Sequence, residues 1–190
     1  MGMYSIFLEQ ERNKSEKLLH NIMPKSIAEK LKNNIKTISM DNPEISVLFA
    51  DIVSFTEMSE KISSEKIVGF LNDMFSQFDD LTETYGVEKI KTIGDSYMVV
   101  SGMPVQKEDH ALTLFNLAKE MIKISAQFKD HNGNPIKLRI GINSGPAISG
   151  VIGKSKFAFD VWGDTINTAA RLESYGTVSY THLTLPTRIF

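Results

Sequence analysis

An α+β sandwich, with helices gathered on one face of a sheet, is the fold class that this 190-residue sequence predicts. Two observations carry the prediction. Apolar runs rich in β-branched residues alternate with long amphipathic stretches of helical spacing, and the turn signals between them order the elements as β-α-β-β-α-β. Composition agrees: 42% hydrophobic residues suffice for a core of ordinary size, while 21 basic and 23 acidic residues give no general attraction to nucleic acid. No cysteine is present, which excludes disulfides and thiolate metal sites.

The first element, residues 7–32 (FLEQERNKSEKLLHNIMPKSIAEKLK), is a charged helix that Pro24 ends or kinks near Met23. A heptad seam through Leu8, Arg12, Ser15, Leu19 and Ile22 is weak, so the segment reads as a solvated amphipathic helix or a dimerising linker. After MDNP, the apolar run EISVLFADI is a buried strand ending near Asp51. SSEKIVGFLNDMFSQFDDLTETYG then offers Ser63 and Ser64 as caps, places Ile67, Phe70, Leu71, Met74 and Phe78 at helical spacing, and closes at Gly86. VEKIKTI and SYMVVSG flank Gly94-Asp95 as a hairpin. EDHALTLFNLAKEMIKISAQFKD is a second amphipathic helix, with NGNP as its turn. IKLRIGINSG, PAISGVIG and FAFDVW read as three strands, and Asp164 caps a helix through TINTAARLESYG. This order is that of a ferredoxin-like βαββαβ sandwich preceded by a helical linker.

Two groups of side chains suggest chemistry. Asp51 follows a buried strand and Asp95 sits in a hairpin turn, so in a sandwich whose central strands are neighbours they converge on one edge. Paired carboxylates suit a hard cation such as Mg²⁺, although either aspartate alone is an ordinary strand-end or turn residue. Asn167 and Arg171 lie four apart, on one face of one helix, where they could orient a hydroxyl and neutralise a phosphate. By spacing alone, both also suit a plain solvated surface.

Four stretches together carry a resemblance: VLFADIVSFTEMSE, GVEKIKTIGDSYMVVSGMP, LRIGINSGPAISGVIG and FDVWGDTINTAARLES, in that order from about Ile45 to Thr177. They resemble the class III nucleotidyl cyclases, which make cyclic AMP or cyclic GMP from the triphosphate. The upstream KSEKLLHNIMPKSIAEKLK is similar to the helix that couples such domains to a sensor. The resemblance implies a homodimer with its active sites between two catalytic domains. Asp51, Asp95 and the backbone carbonyl of Ile52 would hold two Mg²⁺ or Mn²⁺ ions. The partner chain would supply Asn167 to position the ribose and Arg171 to meet charge building on the α-phosphate, while Arg139 matches a position associated with the triphosphate.

In members that use ATP, a lysine and an aspartate at the places of Lys91 and Asp160 contact the adenine edge. Lysine donates to N1 and aspartate accepts from the N6 amino group, and guanine presents the opposite pattern at both points. Guanylyl relatives typically carry Glu at the first place and Cys or Ser at the second. The expected function is therefore an adenylate cyclase, with ATP as substrate, an upstream sensor in the full-length protein and no nucleic-acid partner. A guanylate cyclase is the alternative that Lys91 and Asp160 oppose. An inactive cyclase-like dimerisation or nucleotide-sensing module is opposed by the presence of both aspartates, Asn167 and Arg171.

The chain departs from the family at its end. The family continues with further strands and a triphosphate-binding lysine, whereas VSYTHLTLPTRIF supplies no recognisable next element. The string VSYTHL resembles an in-frame translation of a transposase-adapter end. Expected domains are a helical linker over 1–43, a C-terminally truncated catalytic domain over 44–177 and a non-native tail over 178–190. No stretch is long and apolar enough to span a bilayer, and MGMYSIFLEQ lacks the regions of a signal peptide. A cytoplasmic catalytic domain is expected, with membrane association left to the parent protein.

Overall fold

Alternation along the first strand decides which side of the sheet is core. The computed structural model describes residues 9, 11–16, 18–19, 22–33, 38–153 and 156–176, together with the backbone of 181–184. Its first strand, β1, runs Ile38–Ile52. Leu48, Ala50 and Ile52 point into the main core, so Val47, Phe49 and Asp51 take the opposite face. The sequence predicted a start after MDNP, but β1 continues back through Pro43. Pairing with β3 covers Ser46 to Ala50, so the missing N–H of exposed Pro43 falls outside that ladder.

A short helix α1 (Lys25–Lys32) precedes β1, with Pro24 at its N-cap where its lack of an N–H costs nothing. Beyond β1 come α2 (Phe55–Lys61), α3 (Ser64–Tyr85), the hairpin β2 (Glu88–Ile93) and β3 (Ser96–Ser101), and α4 (His110–Ser125). Then follow β4 (Leu138–Ile152), β5 (Ala158–Trp162), α5 (Asp164–Tyr175) and β6 (Thr181–Thr184). Sheet order is β2-β3-β1-β4-β5, with β6 parallel to β4. The first four strands of that order, joined by α3 and α4, form the expected ferredoxin-like arrangement.

Three readings of individual elements change. The two expected strands IKLRIGINSG and PAISGVIG are one strand, β4, passing through Gly145 and Pro146. Gly163 rather than Asp164 caps α5, and Asp164 is the first helical residue, where its charge still favours the helix N-terminus. Thr181–Thr184, within the segment set aside as tail, forms a strand whose register runs Ile140 with Thr181 to Asn143 with Thr184.

Packing divides the chain into two compact units, Met1–Met40 with Ser149–Asp160 and Asp41–Ile148 with Val161–Phe190. In the smaller unit α1 buries Ile27 and Ala28. In the larger, Met74 and Phe78 of α3 and Leu114, Leu117 and Met121 of α4 close over Tyr97, Val99, Leu138, Ile140 and Ile142. Tyr97 donates its hydroxyl to Asp79 on α3, which also pairs with Lys89 on β2. This ties the hairpin to the helix behind it.

The opposite face of β4 is not left free of helices. A Cβ on Gly141 would collide with the carbonyl of Ala169 and the N–H of Glu173, so α5 lies directly on the strand there. Only glycine permits that approach. The expectation of helices on a single face therefore holds for α3 and α4 but not for α5.

Candidate active site

Strand alternation brings Asp51 of β1 and Arg139 of β4 to one face of the sheet. Asp51 is the last but one residue of β1, half-buried, and Ile52 after it turns into the core. Asp95 lies in the two-residue turn between β2 and β3, also half-buried. The Asp51 carboxyl acts on that of Asp95, while the backbone N–H groups of Ile52 and of Asp95 itself favour its charged form. Burial first, and the Asp51 charge second, push the Asp95 carboxyl up to about 6. Two crowded carboxylates that resist sharing negative charge form a hard-oxygen donor pair, and a divalent cation between them would relieve that repulsion. This fits Mg²⁺ or Mn²⁺. No group of three His, Cys, Asp or Glu side chains able to hold a metal occurs among the described residues. Further ligands would have to be backbone carbonyl, water or substrate phosphate.

Arg139, half-buried on β4, completes the edge. Its Nη2 donates to Asp51 Oδ2 at 2.6 Å and its Nε donates to Glu173 Oε1 at 3.0 Å. The Asp51 hydrogen bond is the main reason its guanidinium holds its proton more tightly than usual. Glu173 is buried on α5, and burial together with the Asp51 charge raises its carboxyl above the ordinary range against the pull of Arg139. Reading from sequence missed Glu173. The available signal was its place on the helical stripe Thr165, Ala169, Glu173, where a carboxylate facing a strand demands a cation.

Lys91 reaches the same face through a bulge. Glu88 pairs with Val100 and Lys89 with Val99, but Lys91 pairs with Met98, leaving Ile90 as the extra residue. In a regular ladder Lys91 would oppose Tyr97 and point into the helix-covered core. The bulge instead sets it, half-buried, on the side of Met98, Phe49 and Asp51. Asp160 lies half-buried on β5 in the smaller unit. Asn167 and Arg171 are exposed on α5, and their side chains make no hydrogen bond or ion pair among the described residues. The chain thus gathers Asp51, Ile52, Asp95, Arg139 and Glu173, and leaves Asn167 and Arg171 facing outward.

This arrangement matches a known family. The adenylate and guanylate cyclase catalytic domain model matches residues 38–188, running past Thr177 into the segment that the sequence reading set aside. The chain belongs to the class III adenylate and guanylate cyclase family. An adenylate cyclase of Mycobacterium tuberculosis is 48% identical over 172 residues, covering 90% of this chain and 39% of the relative. Guanylate cyclase soluble subunit beta-2 of Rattus norvegicus is 41% identical over 185 residues, covering 96% of this chain and 27% of the relative. The cyclase domain here therefore spans well under half the length of either. Among solved structures, the non-canonical dimeric guanylyl cyclase domain of the RhoGC fusion protein from Blastocladiella emersonii superposes with a TM-score of 0.71 at 36% identity. That match covers 76% of this chain and 81% of the other. No helix among the described residues of the cyclase domain is long and apolar enough to cross a membrane.

Proposed function

We propose that this domain is an adenylate cyclase, acting as a homodimer on ATP to give 3′,5′-cyclic AMP and pyrophosphate. The observation that carries the reading is the Asp51–Asp95 pair at one strand edge, with Arg139 beside it and Lys91 turned to the same face. The 48% identity to a mycobacterial adenylate cyclase supports ATP as substrate. Asp51, Asp95 and the Ile52 carbonyl would hold two Mg²⁺ or Mn²⁺ ions, which would make the ribose 3′-hydroxyl more acidic and offset charge on the pyrophosphate. In the reaction the 3′-oxygen bonds to the α-phosphorus as the bond to the β-phosphate oxygen breaks.

The chain's own residues bind and orient. Arg139 holds the triphosphate by charge-assisted hydrogen bonds. From the partner chain, Asn167 orients the ribose, and Arg171 stabilises charge that grows on the α-phosphate in the transition state. Lys91 donates to adenine N1 and Asp160 accepts from N6, so guanine would leave both groups mispaired. The linker ahead of β1 connects the domain to a sensor in the full-length protein. A guanylate cyclase is the second reading, favoured by the 41% identity to a guanylate cyclase subunit over 96% of this chain.

The deciding experiment measures cyclic nucleotide formation from ATP and from GTP in Mn²⁺, with Asp95→Ala as control. Cyclic AMP that vanishes in the control is expected. The double substitution Lys91→Glu with Asp160→Cys should move the preference toward GTP by about tenfold or more. Predominant cyclic GMP from the unaltered chain would establish the second reading, and a folded dimer inactive on both triphosphates would defeat the enzymatic one.

A further inference from the structure

Glu173 stands where α5 should carry an apolar residue. The buried positions of that helix are Thr165, Ala169 and Glu173, four apart on the stripe that meets β4, and Glu173 is only 8% exposed. A carboxylate buried in this way is costly unless it is paired and hydrogen-bonded. Its partner is Arg139, whose Nε lies 3.0 Å from Oε1, while the same guanidinium reaches Asp51 at 2.6 Å. One arginine thus joins the helix that carries Asn167 and Arg171 to an aspartate of the metal edge. Its two carboxylate partners are not equivalent. On the cyclase reading Asp51 would be taken by a divalent ion, and Glu173, on the packed side of α5, would not.

We propose that Glu173 is a positioning residue, anchoring Arg139 so that the arginine can release Asp51 to a divalent ion and still remain at the site to meet a triphosphate. This rests on the cyclase reading above. With Glu173 present, Arg139 gives up Asp51 and keeps a carboxylate partner. Without it, Asp51 is the last anion holding Arg139, and an entering ion must displace that pair outright. After release, the Nε grip fixes the guanidinium plane, so its terminal nitrogens are pre-set for phosphate oxygens instead of searching for them. Glu173 itself touches no substrate.

The test titrates Mn²⁺ alone into the dimeric protein and follows binding by electron paramagnetic resonance. Glu173→Met, Arg139→Met and the double variant are compared with the unaltered chain, and Asp95→Asn serves as the site control. Glu173→Met should weaken Mn²⁺ binding about tenfold when Arg139 is present and by less than about twofold in the Arg139→Met background, because coupled residues are non-additive. Rates should show KM for ATP raised about tenfold with kcat changed less than about threefold, the mark of lost ground-state binding. Glu173→Gln, which keeps an acceptor oxygen for Nε, should recover part of the KM. A role in packing alone would be served equally by methionine. Equal weakening in both backgrounds would show that Glu173 acts through its own charge and would overturn the proposal. So would a Glu173→Met protein that binds Mn²⁺ and ATP normally. Mn²⁺ binding that survives Asp95→Asn would instead sink the cyclase site and the proposal with it, so the two failures are distinct.

Discussion

Glu88 shows how one half-buried acid ties stability to pH. It opens β2 opposite Val100, and burial alone lifts its carboxyl from 4.5 to about 7. The folded chain therefore keeps a proton that the unfolded chain has already lost. Stability from this group falls as pH rises from about 4.5 through about 7, and the full penalty of a buried charge is present above that. Replacing Glu88 by Gln removes the charge but keeps the shape. The stabilisation of Glu88→Gln over the parent should be near zero below the unfolded value, grow across the window and level off above it. Urea midpoints measured from pH 4 to pH 8 read the gap directly, and curves that stay parallel would rule out the buried-charge account. Asp95 is raised toward 6 by the same cause, with Asp51 adding to it, so a conservative change there would report on two groups at once.

At the level of elements, α5 packs directly against β4 at Gly141. Gly141 sits within the strand run LRIGINSG, and its φ is not in the left-handed region; what it supplies is the absence of a side chain. A methyl there meets the backbone of Ala169 and of Glu173, which cannot swing aside as a side chain would. Gly141→Ala should cost ~1–3 kcal/mol by overpacking, and it should lower Mn²⁺-dependent activity because the displaced helix carries Glu173, Asn167 and Arg171. Thermal melting with activity assays checks both effects, and an unchanged melting temperature would mean that α5 does not lie on β4 as described. Much of this level was legible in the sequence. The helix through Ile67, Phe70, Leu71, Met74 and Phe78 and the hairpin at Gly94-Asp95 follow from periodicity and turn chemistry, which are local. The extension of β1 through Pro43 and the continuity of β4 through Pro146 were not, because proline's penalty depends on which side of the strand is paired. Asp51 and Asp95 stood out because acids beside apolar strands are conspicuous. Glu173 did not, since its meaning lies in Arg139, 34 positions away in the chain. The bulge at Ile90 was hidden for the same reason: register is a property of two strands, and VEKIKTI alone carries no sign of it.

For the molecule as a whole, the two sides of α5 have different jobs. Its inner stripe holds Glu173 against Arg139 of the same chain, while Asn167 and Arg171 stand exposed with no partner side chain among the described residues. An arginine that is exposed and makes no ion pair among the described residues is free to reach a second chain. In the proposed dimer it serves the site whose aspartates belong to the other chain. Sharing of this kind can be tested without a structure of the complex. A chain with Asp95→Ala would lack one proposed metal ligand in its own half-site, and a chain with Arg171→Ala would lack the residue that it is proposed to lend. Either variant alone should be inactive but folded, because Arg171 is exposed and Asp95 lies at a turn. When the two are unfolded together in equal amounts and refolded, half of the dimers are mixed, and each mixed dimer has one site built from two undamaged halves. Activity should then return to roughly a quarter of the parent level, the fraction of intact sites expected for a two-fold interface. Sites contained within single chains would give no recovery at any mixing ratio. That result would place Arg171 outside the reaction centre and remove the reason for α5 to present it.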